Sequence, residues 1–216
     1  MQTDLELSLI LQRQYDGVQG FFDHDFINAT GDRYCIKYFP DCTVVAHEGS
    51  HDDLNWFYNA VFVMVQKEGI GGVDEGFDIG IQEQTDQAAP LIPKDKVVYL
   101  IGHSRAGPRA QLMAARLIRL GYKVVIVVFA SPRPGDAVLG ALLSSAPLRS
   151  YRNYHSFDSQ DFVCDVPLPY PFGYVHPVPQ TIIDVAPEAN DPWGVLARHH
   201  LQLYTKGLQN DQPSPV

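Results

Sequence analysis

Residues 97–119 read VVYLIGHSRAGPRAQLMAARLIR, and this stretch limits the fold more than any other. VVYLIG is a continuous, β-branched apolar run without polar alternation, the pattern of a strand covered on both faces. It passes without a linker into a helical pattern in which Leu112, Ala115, Leu117 and Ile118 are apolar and Gly121 marks the stop. A second run of the same kind, KVVIVVFAS (123–131), follows at once. Continuous apolar strands alternating with helices make this an α/β chain, with a mostly parallel central sheet covered by helices on both faces.

The rest of the chain fits that class. RYCIKYFPDCTVVAHEG reads as two strands around a Pro40-Asp41 turn, and VFVMV (61–65) as a short strand; YRNYHSF (151–157) and TIIDV (181–185) are weaker strand candidates. WGVLARHHLQLYTKGL is a helical pattern expected to end near Gly207, and only NDQPSPV has the composition of a disordered tail. With 45% of its 216 residues hydrophobic, the chain can bury one core, so residues 1–216 are read as a single domain.

Composition narrows the partners. A net charge of −9 with no basic patch excludes nucleic acid and anionic membrane surfaces. Arg105, Arg109, Arg116 and Arg119 recur at helical spacing and read as a solvated helix face. Cys35, Cys42 and Cys164 give neither a closed disulfide framework nor a zinc spacing, and no cofactor or metal is expected. MQTDLELSLILQRQYDGV has acids among its leucines and no basic start, so it reads as an amphipathic helix and not a signal peptide. No run of 18 apolar residues occurs. A soluble, cytoplasmic protein of a reducing compartment is expected, with secretion by another route or packaging in a particle left open.

The turn between strand and helix is Gly102-His103-Ser104-Arg105-Ala106. A serine there is forced onto a sharp elbow that throws its hydroxyl out at the carboxyl edge of the sheet. Small residues at 102 and 106 let the two arms of the elbow pass, and Pro108 is tolerated in the first helical turn. The amide of Arg105, at the positive end of the helix, is the natural donor to an oxyanion on a carbonyl attacked by Ser104. Such a serine is a poor nucleophile at neutral pH and needs a histidine base within hydrogen-bond reach, oriented by a carboxylate. Asp158, Asp161 and Asp165 are the acids available after the fourth strand candidate; His155, His176, His199 and His200 are the bases.

VVYLIGHSRAGPRAQLMAARL resembles the nucleophile segment of the class 3 lipases, the fungal-lipase-like branch of the α/β-hydrolases. VVAHEGSHDDLNWFYN, GGVDEGF, FASPRPGD and DSQDFVCDVPLP are similar to further family segments in the right order, so the likeness spans about residues 40 to 205. Three positions depart from it: Glu48 replaces a basic residue, Ala106 the second elbow glycine, and Asp74 a histidine. The resemblance implies Asp161 as the acid, since DFVCDVP carries the family's valine and Val-Pro, with Asp165 the fallback. HHLQLY matches the family's His-x-[Leu/Met]-x-x-Tyr ending, and counting back five from Tyr204 selects His199; the fungal His-Leu pairing would select His200. FGYVHP matches a non-catalytic family histidine, which makes His176 structural or pocket-lining, while His155 sits in a strand pattern and reads as a packing residue. Ser50 occupies the family's second oxyanion position, opposite Arg105. His47, His51, Asp52 and Asp53 flank it without the spacing of a metal site.

The function implied is a serine carboxylic-ester hydrolase, an esterase or lipase working through an acyl-enzyme on a small-molecule or lipid ester. Residues 58–70 hold a strand and little room for a helical lid, which points to short-to-medium acyl chains without marked interfacial activation. A phospholipase A1 or other acyl hydrolase is the alternative; a catalytically silent hydrolase fold used as a binding module is the alternative of a different class.

Overall fold

The computed structural model describes residues 1–28, 31–49, 62–156, 158–189, 191–192 and 194–210. In chain order the elements are α1 (Asp4–Tyr15), β1 (His24–Ile27), β2 (Arg33–Tyr38), β3 (Cys42–His47), β4 (Met64–Lys67) and β5 (Gly71–Asp74). They continue with α2 (Glu75–Asp78), α3 (Ile81–Ala88), β6 (Val97–His103), α4 (Ala106–Arg119), β7 (Lys123–Phe129) and α5 (Ala137–Leu143). The last are β8 (Leu148–Ser156), β9 (Ser159–Gln160), β10 (Thr181–Ile183) and α6 (Leu201–Asn210).

The apolar runs stand side by side in an eight-stranded sheet of order β1-β2-β3-β6-β7-β8-β10, with β9 paired to β8. From β3 to β10 the neighbours are parallel, whereas β1, β2 and β3 are antiparallel. Register puts Val45 beside Leu100 and Leu100 beside Ile126. Because successive side chains alternate between faces, each strand feeds two layers. Val45, Val98, Leu100, Ile126 and Val128 meet the apolar side of α4; Val44, Ala46, Tyr99, Ile101 and Val127 meet Leu7 and Leu11 of α1 and Leu201 and Tyr204 of α6. Both faces are covered, so runs with no polar alternation carry no exposed apolar face. The architecture is α/β, a mostly parallel central sheet with helices on both faces.

Helix α1 opens on a capping box: the Thr3 hydroxyl accepts from the Glu6 N–H, and Glu6 accepts from the Thr3 N–H at 2.7 Å. Arg149 and Tyr151, at the start of β8, both bond Asp4, tying this helix to the sheet. Asp74, the departure from the family's histidine, caps α2 by accepting from the Phe77 N–H and from the Tyr174 hydroxyl, at 3.2 and 2.8 Å.

Several sequence expectations are corrected. Residue 61 of the run 61–65 lies outside the described residues; the described part pairs later than expected, as β4, in a separate two-stranded ribbon with β5, and Phe62 lies ahead of the strand, against the Phe77 ring. The C-terminal pattern is two pieces, a 3-10 turn at Gly194–His199 and then α6, and α6 runs past Gly207. Gly207 is no stop: a Cβ there would run into Ile183 of β10, so its role is close helix-to-strand approach. The arginine stripe is a solvated face only in part: Arg119 is exposed and Arg105 half-buried, while the other two are not. Arg109 and Arg116 are buried, their charges balanced by aspartates and their N–H groups taken up by backbone carbonyls. Arg109 meets Asp32 at 3.2 Å and the Phe77 and Ile79 carbonyls; Arg116 meets Asp78 at 2.6 Å.

Candidate active site

Ser104 follows the last residue of β6 with φ 59°, a left-handed conformation that costs a non-glycine residue on the order of 1–2 kcal/mol. Two hydrogen bonds hold it there, from its own N–H to the Phe129 carbonyl at 3.1 Å and from the Gly107 N–H to its carbonyl at 2.8 Å. A Cβ on Gly102 would collide with the Ala106 carbonyl, and one on Gly107 with Ser131. The steric demand for glycine thus falls at 102 and 107, and Ala106 fits with its methyl buried. At the end of the adjacent strand, Ala130 is also left-handed, with φ 50°. Arg105 opens α4, where backbone donors have no intrahelical acceptor. Its guanidinium pairs with Asp32 at 2.7 Å.

Of the candidate bases, His199 is the one beside Ser104. Its Nε2 lies 2.8 Å from Ser104 Oγ, and its Nδ1 lies 3.0 and 2.9 Å from Asp161 Oδ1 and Oδ2. All three side chains are fully buried. With Oγ a donor to Nε2, the geometry puts the imidazole proton on Nδ1, facing the carboxylate. Asp161 precedes a 3-10 turn at Phe162–Asp165 and is anchored to β8 by its N–H to the Asn153 carbonyl at 2.8 Å. Its oxygens also accept from the Val163 N–H at 3.0 Å and the Tyr204 hydroxyl at 2.5 Å. Burial opposes its charged form, yet His199 and the bonds from His199 and Tyr204 outweigh that and hold its pKa below the usual carboxylate range. The same carboxylate, added to burial, drives the Tyr204 phenol well above its ordinary value, so this hydroxyl remains a donor.

The other candidates lie elsewhere. His200 pairs with Asp191 at 3.1 Å. His155 is not a packing residue: it shares the face of buried Tyr151 and Asn153, but it lies at the end of β8, beside a register shift in the pairing with β9, and is exposed there with Asp184 at 2.7 Å. His176 bonds the Cys164 carbonyl at 2.8 Å, a structural role. Asp165 is taken up by Arg152, and Asp158 is exposed. Ser50, His51, Asp52 and Asp53 lie outside the described residues, as do 58–61 of the segment expected to lack a lid; the described remainder, 62–70, contains no helix. Among the described residues no cluster of metal-ligating side chains occurs, and no helix is long and apolar enough to cross a membrane.

Sequence reasoning missed Tyr204 as a partner of the acid, using it only as a mark from which to count back to the base. It also passed over His103 and Tyr15. His103 Nε2 lies 2.7 Å from the His199 carbonyl oxygen, and its Nδ1 lies 3.2 Å from the Tyr15 hydroxyl. The signal for Tyr204 was its spacing five residues after His199; nothing in local pattern marks the other two.

Residues 44–170 match the family model described as lipase (class 3), which is more than half of the chain. The chain belongs to the class 3 lipase family. As a class 3 lipase it is a carboxylic ester hydrolase. No curated protein matches it. Among solved structures it is similar to the mono- and diacylglycerol lipase of Aspergillus oryzae, with 20% identity, a TM-score of 0.67, and 88% of this chain and 83% of that one covered. The triacylglyceride lipase of Rhizomucor miehei gives 18% identity and a TM-score of 0.66 over 83% and 79% of the two chains. A triacylglycerol lipase described as having a serine protease triad at its catalytic centre gives 20% and 0.62, over 75% and 66%. These likenesses bear on the fold.

Proposed function

We propose that this class 3 lipase hydrolyses short-to-medium-chain acyl esters through Ser104, His199 and Asp161, with the Arg105 and Ser50 amides as oxyanion donors. The observation that carries the reading is the continuous set of bonds from Ser104 Oγ through the His199 ring to the doubly supported Asp161 carboxylate. Ser104 Oγ attacks the ester carbonyl while its proton passes to His199 Nε2. The tetrahedral oxygen is held by the amide at the start of α4, where the helix dipole favours negative charge. The proton then leaves with the alcohol, giving an acyl-serine. Water attacks that ester with His199 again as base, and the carboxylic acid is released. Asp161 stays ionised throughout, fixing the imidazole tautomer and stabilising the imidazolium.

The absence of a helix from 62–70 supports the chain-length preference. Full burial of Ser104 supports an opening step before acylation, so activity at lipid aggregates is the competing outcome. The test is a panel of p-nitrophenyl esters from acetate to palmitate, with the wild type beside Ser104→Ala, and fluorophosphonate labelling of both. Activity that peaks at short or medium chains and vanishes with Ser104 supports the reading. A peak at palmitate with a jump at the micelle threshold replaces it with an interfacial lipase. A wild type that neither labels nor turns over is a binding module. Phospholipid with labelled sn-1 and sn-2 chains separates a phospholipase A1.

A further inference from the structure

His103 is the last residue of β6, and its side chain enters the layer between the sheet, α1 and α6. Every other side chain that β6 sends to this face, Val97, Tyr99 and Ile101, packs with the apolar cluster there. An imidazole buried in such a layer costs desolvation that an apolar ring would not, and burial, reinforced by His199, draws its pKa down to about 3. The ring is therefore neutral, with one nitrogen carrying hydrogen and the other bare. Nε2 faces the His199 carbonyl oxygen at 2.7 Å, an atom that only accepts, so Nε2 bears the hydrogen. Nδ1 is then the acceptor, and the Tyr15 hydroxyl at 3.2 Å is its donor. Direction and tautomer follow from these two contacts.

The carbonyl that receives this bond belongs to the proposed base, at the junction between two helical segments. His199 ends the 3-10 turn, and α6 begins only at Leu201. The Leu203 N–H goes to the His200 carbonyl, one residue past His199, and the His103 bond falls on the His199 carbonyl itself. The His103 and His199 rings are 4.8 Å apart, close enough for a shift in one to move the other. At its far end the arm presses on the loop after β3: a Cβ on Gly49 would overlap the Tyr15 hydroxyl.

We infer that His103, steadied by Tyr15, is a positioning residue that fixes the backbone of His199 and so the distance from its Nε2 to Ser104 Oγ. This rests on the proposed triad. Nothing is transferred through the arm; it holds the base within the range where a displacement of about 1 Å costs on the order of 100-fold.

The test uses the full chain with p-nitrophenyl butyrate, fluorophosphonate labelling rates and thermal midpoints. His103→Leu is expected to lower kcat about 10- to 100-fold with KM within about twofold, and to slow labelling in proportion. His103→Gln, whose amide nitrogen can reach the same carbonyl, recovers most of the loss. Tyr15→Phe lowers kcat about threefold, and the double variant Tyr15→Phe/His103→Leu is no slower than His103→Leu, because both changes break one arm. An unchanged kcat in His103→Leu, a Gln variant no better than Leu, or losses that multiply would overturn the inference. If His103→Leu melts below the assay temperature, Tyr15→Phe decides alone: a kcat loss at constant KM supports the arm, and an unchanged kcat ends it. A wild type that does not label at Ser104 indicts the triad instead.

Discussion

The Tyr204 hydroxyl lies 2.5 Å from Asp161 Oδ2, the oxygen that also faces His199 Nδ1 at 2.9 Å, and it accepts in turn from the Asn153 N–H at 3.0 Å. One phenol thus joins α6, the central sheet and the carboxylate that orients the base. Tyr204→Phe removes a donor from a buried charge and leaves the Asn153 amide without this acceptor. We expect a loss of about 1–3 kcal/mol in stability and about a 3- to 10-fold lower kcat, read from urea unfolding and steady-state kinetics. Retention of both would mean that Asp161 needs only His199 and Val163.

Asp32 sits between Arg105 and Arg109, at 2.7 and 3.2 Å. Burial draws Arg109 down to about 10, so it is still charged at neutral pH. Asp32→Asn leaves that charge uncompensated and should cost about 3 kcal/mol or more. Adding Arg109→Leu removes the stranded charge and should return much of the loss. Chemical denaturation of the two variants checks the pair; a double variant as unstable as Asp32→Asn would show that the guanidinium is not the source.

Acid should weaken the fold well before carboxylates titrate. Burial lowers His47 and His103 to about 3 and His176 to about 4, against 6.5 for a free imidazole. The unfolded chain therefore binds more protons between those values. Stability is complete above pH 6.5 and is lost as pH falls through that window. Each imidazole contributes on the order of 2 kcal/mol between pH 7 and 5. Among the described residues neither buried ring nitrogen of His47 has a hydrogen-bond partner, while its ring stacks on Tyr34. His47→Leu should flatten the pH dependence by about one third, measured as denaturation midpoints from pH 7 to 5. A slope equal to the wild type's would place His47 outside the titrating set.

Gly102→Ala should be among the most damaging single changes in the chain, because the added methyl meets backbone and not a movable side chain. We expect loss of about 3 kcal/mol or more and loss of fluorophosphonate labelling. A folded, labelled variant would show that the elbow widens more readily than its contacts suggest.

What could be read in advance follows the range of the interactions. β6, α4 and β7 are written in local pattern, since both faces of each strand and one face of the helix must be apolar whatever surrounds them. The elbow at Ser104 needs only small neighbours and a strand-to-helix junction, which are also local. The proximity of Asp161 and His199 to it was legible only through the family's motifs. The buried Arg109 was not legible, because charge at helical spacing looks the same whether its partner is water or an aspartate 77 positions earlier. His103 was missed for a like reason: its role depends on a tyrosine and a carbonyl brought in from opposite ends of the sequence.

Two neighbouring strand ends hold non-glycine residues in left-handed backbone, Ser104 and Ala130. Selection for heat tolerance alone would favour glycine at both places. At 130 the exchange relieves the torsion for one buried methyl and touches no reacting atom. At 104 it would discard the hydroxyl itself, so there the enzyme keeps its discomfort as the condition of having chemistry at all.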